Sequence, residues 1–300
     1  MASWDEVAAE VITPEKNTAA KNVKEVEARI GPYRLPPGGR DLRTAAVRRF
    51  ADVVVVLTRR GTHKRYRGSP LGVIWSLANP VAMTFVYVAI FGRTFLPYFG
   101  SLQAYGYYVF IGLSTLGFAT ASTAQALSSV VANGGLLNKV RLPAAAIPLS
   151  SVLTVAAQLG FGTLPVLVAI GVLSGTSASR LLLLPIPLFG LVLLATGVAY
   201  VISAAYVFFR DITHPFDLAM YFLWVASPVF YPIAIVPQRA HWVVAYNPLY
   251  LYLDCVRRIA LGEPGELVRP LALTLAEGVV ACVVGAIVFE ALRPRFLDRV

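Results

Sequence analysis

The sequence predicts an all-α integral membrane protein. It should have six transmembrane helices and both termini in the cytosol. An amphipathic interface helix precedes the first span, and a re-entrant exterior element lies between the fifth and sixth. Three observations predict this. Charged residues are only 14% of the 300, and hydrophobic residues are 57%, whereas soluble domains carry about 25% charged residues. The charges that are present are bunched, which leaves long intervals with no Asp, Glu, Lys or Arg. Lys and Arg gather on one side of the alternation that results.

The same facts exclude a disordered chain and argue against a water-soluble enzyme. Cys255 and Cys282 cannot build a disulfide framework, and no Cys/His cluster has zinc spacing, so no metal site and no catalytic residue is assigned. The net charge of +10 raises the question of which membrane face holds it, rather than of nucleic acid.

Residues 1–40 read as a polar cytosolic extension with turns at Gly31-Pro32 and Pro36–Gly39. Residues 41–70 read as an interface helix and basic linker. Leu42, Ala46, Phe50, Val53, Val54 and Leu57 share one stripe at 100° per residue, with Thr44, Arg48, Asp52 and Arg59 opposite and Asp41 as N-cap. Such a helix lies in the headgroup plane. It is either a plain anchor or a lever moved by a cytosolic partner. Residues 71–295 form the transmembrane domain, and 296–300 a cytosolic tail.

The expected spans are 71–93, 104–131, 146–173, 181–208, 217–235 and 270–290. Each has the roughly 20 apolar residues that cross the hydrocarbon core. Unpaired backbone groups are forbidden in lipid, so the spans are helices, and they lack the alternation of a membrane barrel. A cleavable leader is not expected, because the first apolar run follows a hydrophilic stretch and is long enough to stay as an anchor. With the N-terminus inside, 20 of the 26 Lys and Arg fall on cytosolic segments, as the positive-inside rule requires. Residues 236–269 mix apolar runs with Asp254, Arg257 and Arg258, which suits a re-entrant or surface-lying element.

Ordered motifs then carry a resemblance. Tyr66-Arg67-Gly68-Ser69-Pro70-Leu71-Gly72, followed by Trp75-Ser76 and Asn79-Pro80, resembles the start of the polysaccharide-exporting type-2 ABC transporter permeases. Phe209-Arg210-Asp211-Ile212 with His214, Ser227-Pro228-Val229-Phe230-Tyr231-Pro232, Val236-Pro237 and Tyr246-Asn247-Pro248-Leu249 resemble later landmarks of that family in order and spacing, with Arg257 or Arg258 after them. The resemblance covers about residues 41–295. It implies the channel-forming, plasma-membrane subunit of an ATP-driven exporter that moves a polyprenyl-pyrophosphate-linked polysaccharide outward as a homodimer. The sequence contains no G-x-x-x-x-G-K-[ST], so ATP and Mg belong to a separate ATP-binding subunit and the chain itself holds no cofactor. An excess of Arg over Lys, 21 against 5, resembles actinobacterial members that export cell-wall galactan. O-antigen and teichoic acid stay open as cargo, as does a drug, lipid or natural product. A polyprenyl-phosphate enzyme is disfavoured, because no paired acids for a metal lie near the membrane.

The resemblance also distributes roles. Leu136, Leu137, Lys139, Val140, Arg141 and Pro143 belong to a coupling helix seated on the ATPase, or to an ordinary cytosolic loop. Arg59, Arg60, Lys64, Arg65, Tyr66 and Arg67 form a basic cluster: a generic inside signal, or the place where pyrophosphate and lipid headgroups are loaded. Gly68, Ser69, Leu71, Gly72, Trp75, Asn79 and Pro80 mark the first span, and Arg210 and Asp211 shape the cytosolic mouth. Ser227, Pro228, Tyr231, Pro232, Asn247 and Pro248 form the exterior gate, or simply a helix end and loop. Phe91, Phe95, Tyr98, Tyr105 and Tyr108 are an interfacial aromatic belt or a sugar-stacking path. Glu277 sits near the outer headgroups or faces the dimer interior.

Overall fold

A computed structural model describes residues 42–66, 74–135 and 142–296, and every regular element among them is helical. The 1–40 extension, most of the joining segment 136–141 and the last four residues lie outside the described residues.

Helix α1 (Leu42–Tyr66) continues through the basic cluster, past the end at residue 60 that its apolar stripe predicts. That stripe is not left for lipid. Val53 and Val54 are buried, with Phe50 and Leu57, against Leu142, Ala146, Leu149 and Leu153. The interface helix is thus braced on the third span. Helix α2 (Ile74–Phe99) runs past Arg93, where the charge-free interval closes. A charge marks the edge of the bilayer but does not end a helix. The chain ends α2 at Gly100, whose φ of +72° suits glycine. Ser101 then caps α3 (Leu102–Leu127), its Oγ accepting from the Ala104 N–H at 3.1 Å. Inside α2, Pro80 and Pro97 interrupt the backbone ladder.

Helix α3 is central and rich in hydroxyls. Thr115, Ser122 and Thr123 donate to the carbonyls of Ile111, Phe118 and Ala119 at 2.8, 2.8 and 2.7 Å, so these three hydroxyls are satisfied within the helix. After a break at Ser128, α4 (Ser129–Ala132) adds one turn. The third span is α5 (Ala146–Gln158) and α6 (Leu164–Leu173), joined by a π-turn at Leu159–Thr163. Helix α7 (Ala178–Leu181) leads through one turn into α8 (Pro185–Phe208), which starts on proline. A 3₁₀ turn, Arg210–Ile212, then opens α9 (Thr213–Ala226).

The expected fifth span of 217–235 is corrected here. Helix α9 has 14 residues and stops at Ala226. Pro228 supplies no N–H and disfavours helical ψ at Ser227, which takes φ −83°, ψ 132°. Two 3₁₀ turns and α10 (His241–Ala245) follow. Helix α11 (Pro248–Ala260) is capped by Asn247, and α12 (Val268–Leu292) closes the fold. Phe296, assigned to the tail by sequence, is 3% exposed and packs on Phe208 and Phe289. Apolarity along the chain cannot tell a free end from one folded back.

Among the described residues, four helical stretches are long and apolar enough to cross a membrane: Leu77–Phe99, Ala146–Leu173, Ala178–Phe208 and Val268–Arg295. The other two predicted spans differ for opposite reasons: α3 has the length but is more polar, and α9 is short.

The tightest pairing joins α8 to α12. Gly190 and Gly197 on one helix face Gly278 and Gly285 on the other, with the same seven-residue spacing on both. A side chain on Gly197 would run into the Ala281 carbonyl, one on Gly285 into the Gly197 backbone, and one on Gly278 into the Gly190 carbonyl. Lipid tails are as apolar as leucine, so burial alone does not drive helices together in a membrane. Close backbone packing at small residues does.

Candidate functional site

The site grows from the proline pattern that ends α9. Past Ser227 the backbone leaves the helix, so its carbonyls lose their helical partners inside an apolar surround, where each costs free energy unless paired. Four successive carbonyls, Pro228 to Tyr231, are all satisfied by three side chains. Tyr108 Oη donates to the Pro228 and Tyr231 carbonyls at 3.1 Å each, and Tyr105 Oη to the Phe230 carbonyl at 2.8 Å. Arg257 Nη1 donates to the Pro228 carbonyl at 2.7 Å, and Nη2 to the Val229 carbonyl at 2.9 Å and the Tyr108 carbonyl at 3.0 Å. Ser227 Oγ donates back to the Leu223 carbonyl at 2.7 Å and accepts from Asn247 Nδ2 at 2.8 Å.

Each donor is placed by its own helix. Tyr105, Tyr108 and Gly112 recur at three- and four-residue steps, on one face of α3. Asn247 does two jobs: its Oδ1 accepts from the Leu249 N–H at 3.0 Å, which caps α11, while its amide reaches Ser227. Arg257 lies on the apolar face of α11, with Leu249, Tyr252, Leu253 and Val256. It is 4% exposed, and its Cζ lies 3.3 Å from the centroid of the Tyr108 ring. Arg258, one residue on, turns outward and pairs with Asp254 at 2.6 Å.

An aromatic shell covers the turn. Tyr87 stacks on Phe230 with ring centroids 4.9 Å apart, and Phe99 packs on Tyr105 and Tyr108 at 5.2 and 4.6 Å. Val229 is fully buried. The turn therefore plugs the space between α3 and α11 and is bonded to both.

The predicted gate residues come together: Ser227 bonds Asn247, Pro228 and Tyr231 receive tyrosine donors, and Pro248 opens α11. Of the aromatic candidates, Phe95 and Tyr105 are buried, Phe91 and Tyr108 belong to the same cluster, and Tyr98 is exposed. The rings of Phe91, Phe95, Tyr105 and Tyr108 pack within this cluster, while that of Tyr98 stands open. Of the basic cluster, Arg59, Lys64 and Arg65 are exposed along α1 and Arg60 is half-buried. Arg65 Nη1 reaches Gln125 Oε1 on α3 at 3.2 Å. Tyr66 ends α1, Trp75 lies in the first turn of α2, and Asn79 and Pro80 follow in that helix. Arg67, Gly68, Ser69, Leu71 and Gly72 lie outside the described residues, as do Leu136, Leu137, Lys139, Val140 and Arg141. Pro143 is described: its carbonyl accepts from the Ala146 N–H at 2.9 Å, where α5 begins. Arg210 and Asp211 are exposed on the turn before α9. Glu277 lines a shallow groove with Leu194, Leu251, Leu273 and Val280, where α8, α11 and α12 meet.

The motifs named Arg257 and Arg258 together and did not choose between them. The signal that separates them is helical spacing. Leu249, Tyr252, Leu253, Val256 and Arg257 follow the three- and four-residue rhythm of a buried face, and Arg258 does not.

Comparison with known proteins now decides the family. Residues 52–261 match the family described as ABC-2 type transporter. The chain belongs to that family. The O-antigen export system permease protein RfbA of Klebsiella pneumoniae is 29% identical over 252 residues, covering 82% of this chain and 94% of the relative. A permease of the same name from Myxococcus xanthus is 26% identical over 254 residues, covering 84% and 96%. The permease is thus a multi-pass protein of the plasma membrane and a transporter subunit, and its family implies a partner that binds ATP. The matched stretch takes in both halves of the plug, the Ser227–Pro232 turn and the Arg257 helix.

Proposed function

We propose that the permease is the channel-forming subunit of an ATP-driven exporter that moves a polyprenyl-pyrophosphate-linked polysaccharide from cytosol to exterior. The supporting observation is the full-length likeness to O-antigen export permeases, which covers 94% of one such relative. Each chain crosses the membrane six times, with α3 as the second crossing and α9 as a short fifth that ends in the exterior gate. Two chains form the conduit. In favour of this, α2 and α9 leave large apolar side chains uncovered, among them Phe85, Ile90, Tyr221 and Phe222. Galactan, O-antigen and teichoic acid are the candidate polymers; the Arg-rich composition resembles galactan exporters, and the relatives found are O-antigen export permeases.

ATP and Mg reside on a separate subunit. The 132–145 segment couples it to the conduit, with α1 as the brace, since α1 packs on the start of α5 directly after that segment. Exposed Arg59, Lys64 and Arg65 suit the pyrophosphate of the carrier, because guanidinium groups bind phosphate oxygens in bidentate fashion.

Depleting the permease should make a lipid-linked polymer accumulate in the cytosolic leaflet, identified by mass and sugar composition. Depletion with no accumulation refutes glycan export and favours a drug or lipid cargo. Removing residues 136–141 should abolish co-purification of the ATP-binding subunit. Undiminished co-purification refutes the coupling role.

A further inference from the structure

We propose that Arg257 is the positioning residue that pins the exterior turn shut, clamping the Pro228 and Val229 carbonyls from α11 and held in register by Gly112. The inference rests on the turn being the gate.

Arg257 is a buried cation with no carboxylate partner among the described residues; its contacts are three carbonyls and the Tyr108 ring. Filling this space with a neutral side chain would avoid the penalty of desolvating a charge. What the charge supplies is donors aimed at the broken end of α9. Pro228 and Val229 lie just beyond the end of α9, where their carbonyls have no helical partner, and charge-assisted bonds to such carbonyls are the strong kind. A planar guanidinium spans carbonyls on two backbone segments at once, which a point-like ammonium cannot.

The acceptors belong to separate elements. Pro228 and Val229 lie in the turn, Tyr108 lies on α3, and the cation is carried by α11. The cation is fully solvated by protein only while all three meet. If the turn swings away, Arg257 keeps one carbonyl and a ring, and water must replace the rest. The dry closed state is therefore favoured until the pore fills with water, which gives the gate two discrete states. Nε, buried with no hydrogen bond, limits how deep the closed state is and leaves it openable.

Gly112 sets the seat. A Cβ there would stand 2.8 Å from Arg257 Nη2 and 2.9 Å from the Val229 carbonyl oxygen, between clamp and turn. Alanine is the better helix former at this position, so Gly112→Ala strengthens α3 while it wedges the latch apart.

The test is nucleotide-free potassium efflux from liposomes of phosphatidylethanolamine and phosphatidylglycerol that carry the full-length chain. Gly112→Ala and Arg257→Lys should each raise efflux about tenfold or more, the equivalent of one lost charge-assisted bond. Thermal unfolding and particle size should stay close to wild type. A folded Gly112→Ala chain with wild-type efflux overturns the pin, and it decides the matter even if Arg257→Lys does not fold. That result leaves glycan export standing, because export is judged by the depletion experiment. Raised efflux without polymer accumulation on depletion supports the pin and removes the cargo.

Discussion

The α8–α12 contact and the α2–α9 surface are made of equally apolar helices, yet one is finished and the other is open. More than half of the stretch that contains α8 is buried inside the chain, against about a tenth of α2, while α12 covers its glycine face on α8 and leaves Val280, Val283 and Ile287 open. Helix α9 buries only Phe216. Hydropathy does not explain the difference, since all these side chains are content in lipid. Small residues and paired polar groups explain it. Helices α8 and α12 carry glycines in register, and Tyr252 on α11 donates its hydroxyl to the Thr274 carbonyl of α12 at 2.9 Å. The outer faces of α2 and α9 carry large aromatic and aliphatic side chains instead, which suit lipid or a second copy. The 227–232 turn lies between the two regions. It is the continuation of the loosely held α9, and it is fastened to α3 and α11 by hydrogen bonds.

The comparison breaks most sharply at the glycines. Gly197→Leu forces a side chain into the α12 backbone and should cost about 3 kcal/mol or more, seen as loss of folded protein in detergent. Wild-type yield and unfolding temperature would show that the two helices separate freely. A smaller effect is expected at the gate. Asn247→Ala removes both the α11 cap and the bond to Ser227, and should lower stability by about 2 kcal/mol. An unchanged unfolding midpoint would show that the turn is held by packing alone. The smallest effect on the single chain belongs to the open face. Phe222→Ala should shift its stability by no more than about 0.5 kcal/mol, because the side chain is 63% exposed. A cysteine at that position should cross-link two copies on oxidation. Monomers after oxidation would assign the face to lipid.

Much of the fold was legible in the order of residues. Charge-free intervals located the third and fourth spans, and an interval broken by Glu277 alone located the sixth, because leaving a charge in hydrocarbon is costly whatever the tertiary structure. The end of α9 was legible too, since Pro228 supplies no N–H and disfavours helical ψ at Ser227, although Pro80 and Pro97 are accommodated inside α2. What hydropathy misread was length. It merged α9 with the turn after it, because Val229, Phe230 and Ile233 are as apolar as a span but are not helical. It also ended α2 at Arg93, though a long side chain near the interface can extend to water without breaking the helix.

The sequence by itself determined that this chain lives in a membrane and that α9 stops at the Ser227-Pro228 step. Those follow from local transfer free energies and from the missing N–H of proline. Only the tertiary structure decided that Arg257 reaches the Pro228 and Val229 carbonyls, that Tyr105 and Tyr108 direct their hydroxyls to the turn, and that α1 packs against α5. Each of these depends on which elements approach one another, and a buried polar group is tolerable only where distant parts of the chain bring its partners.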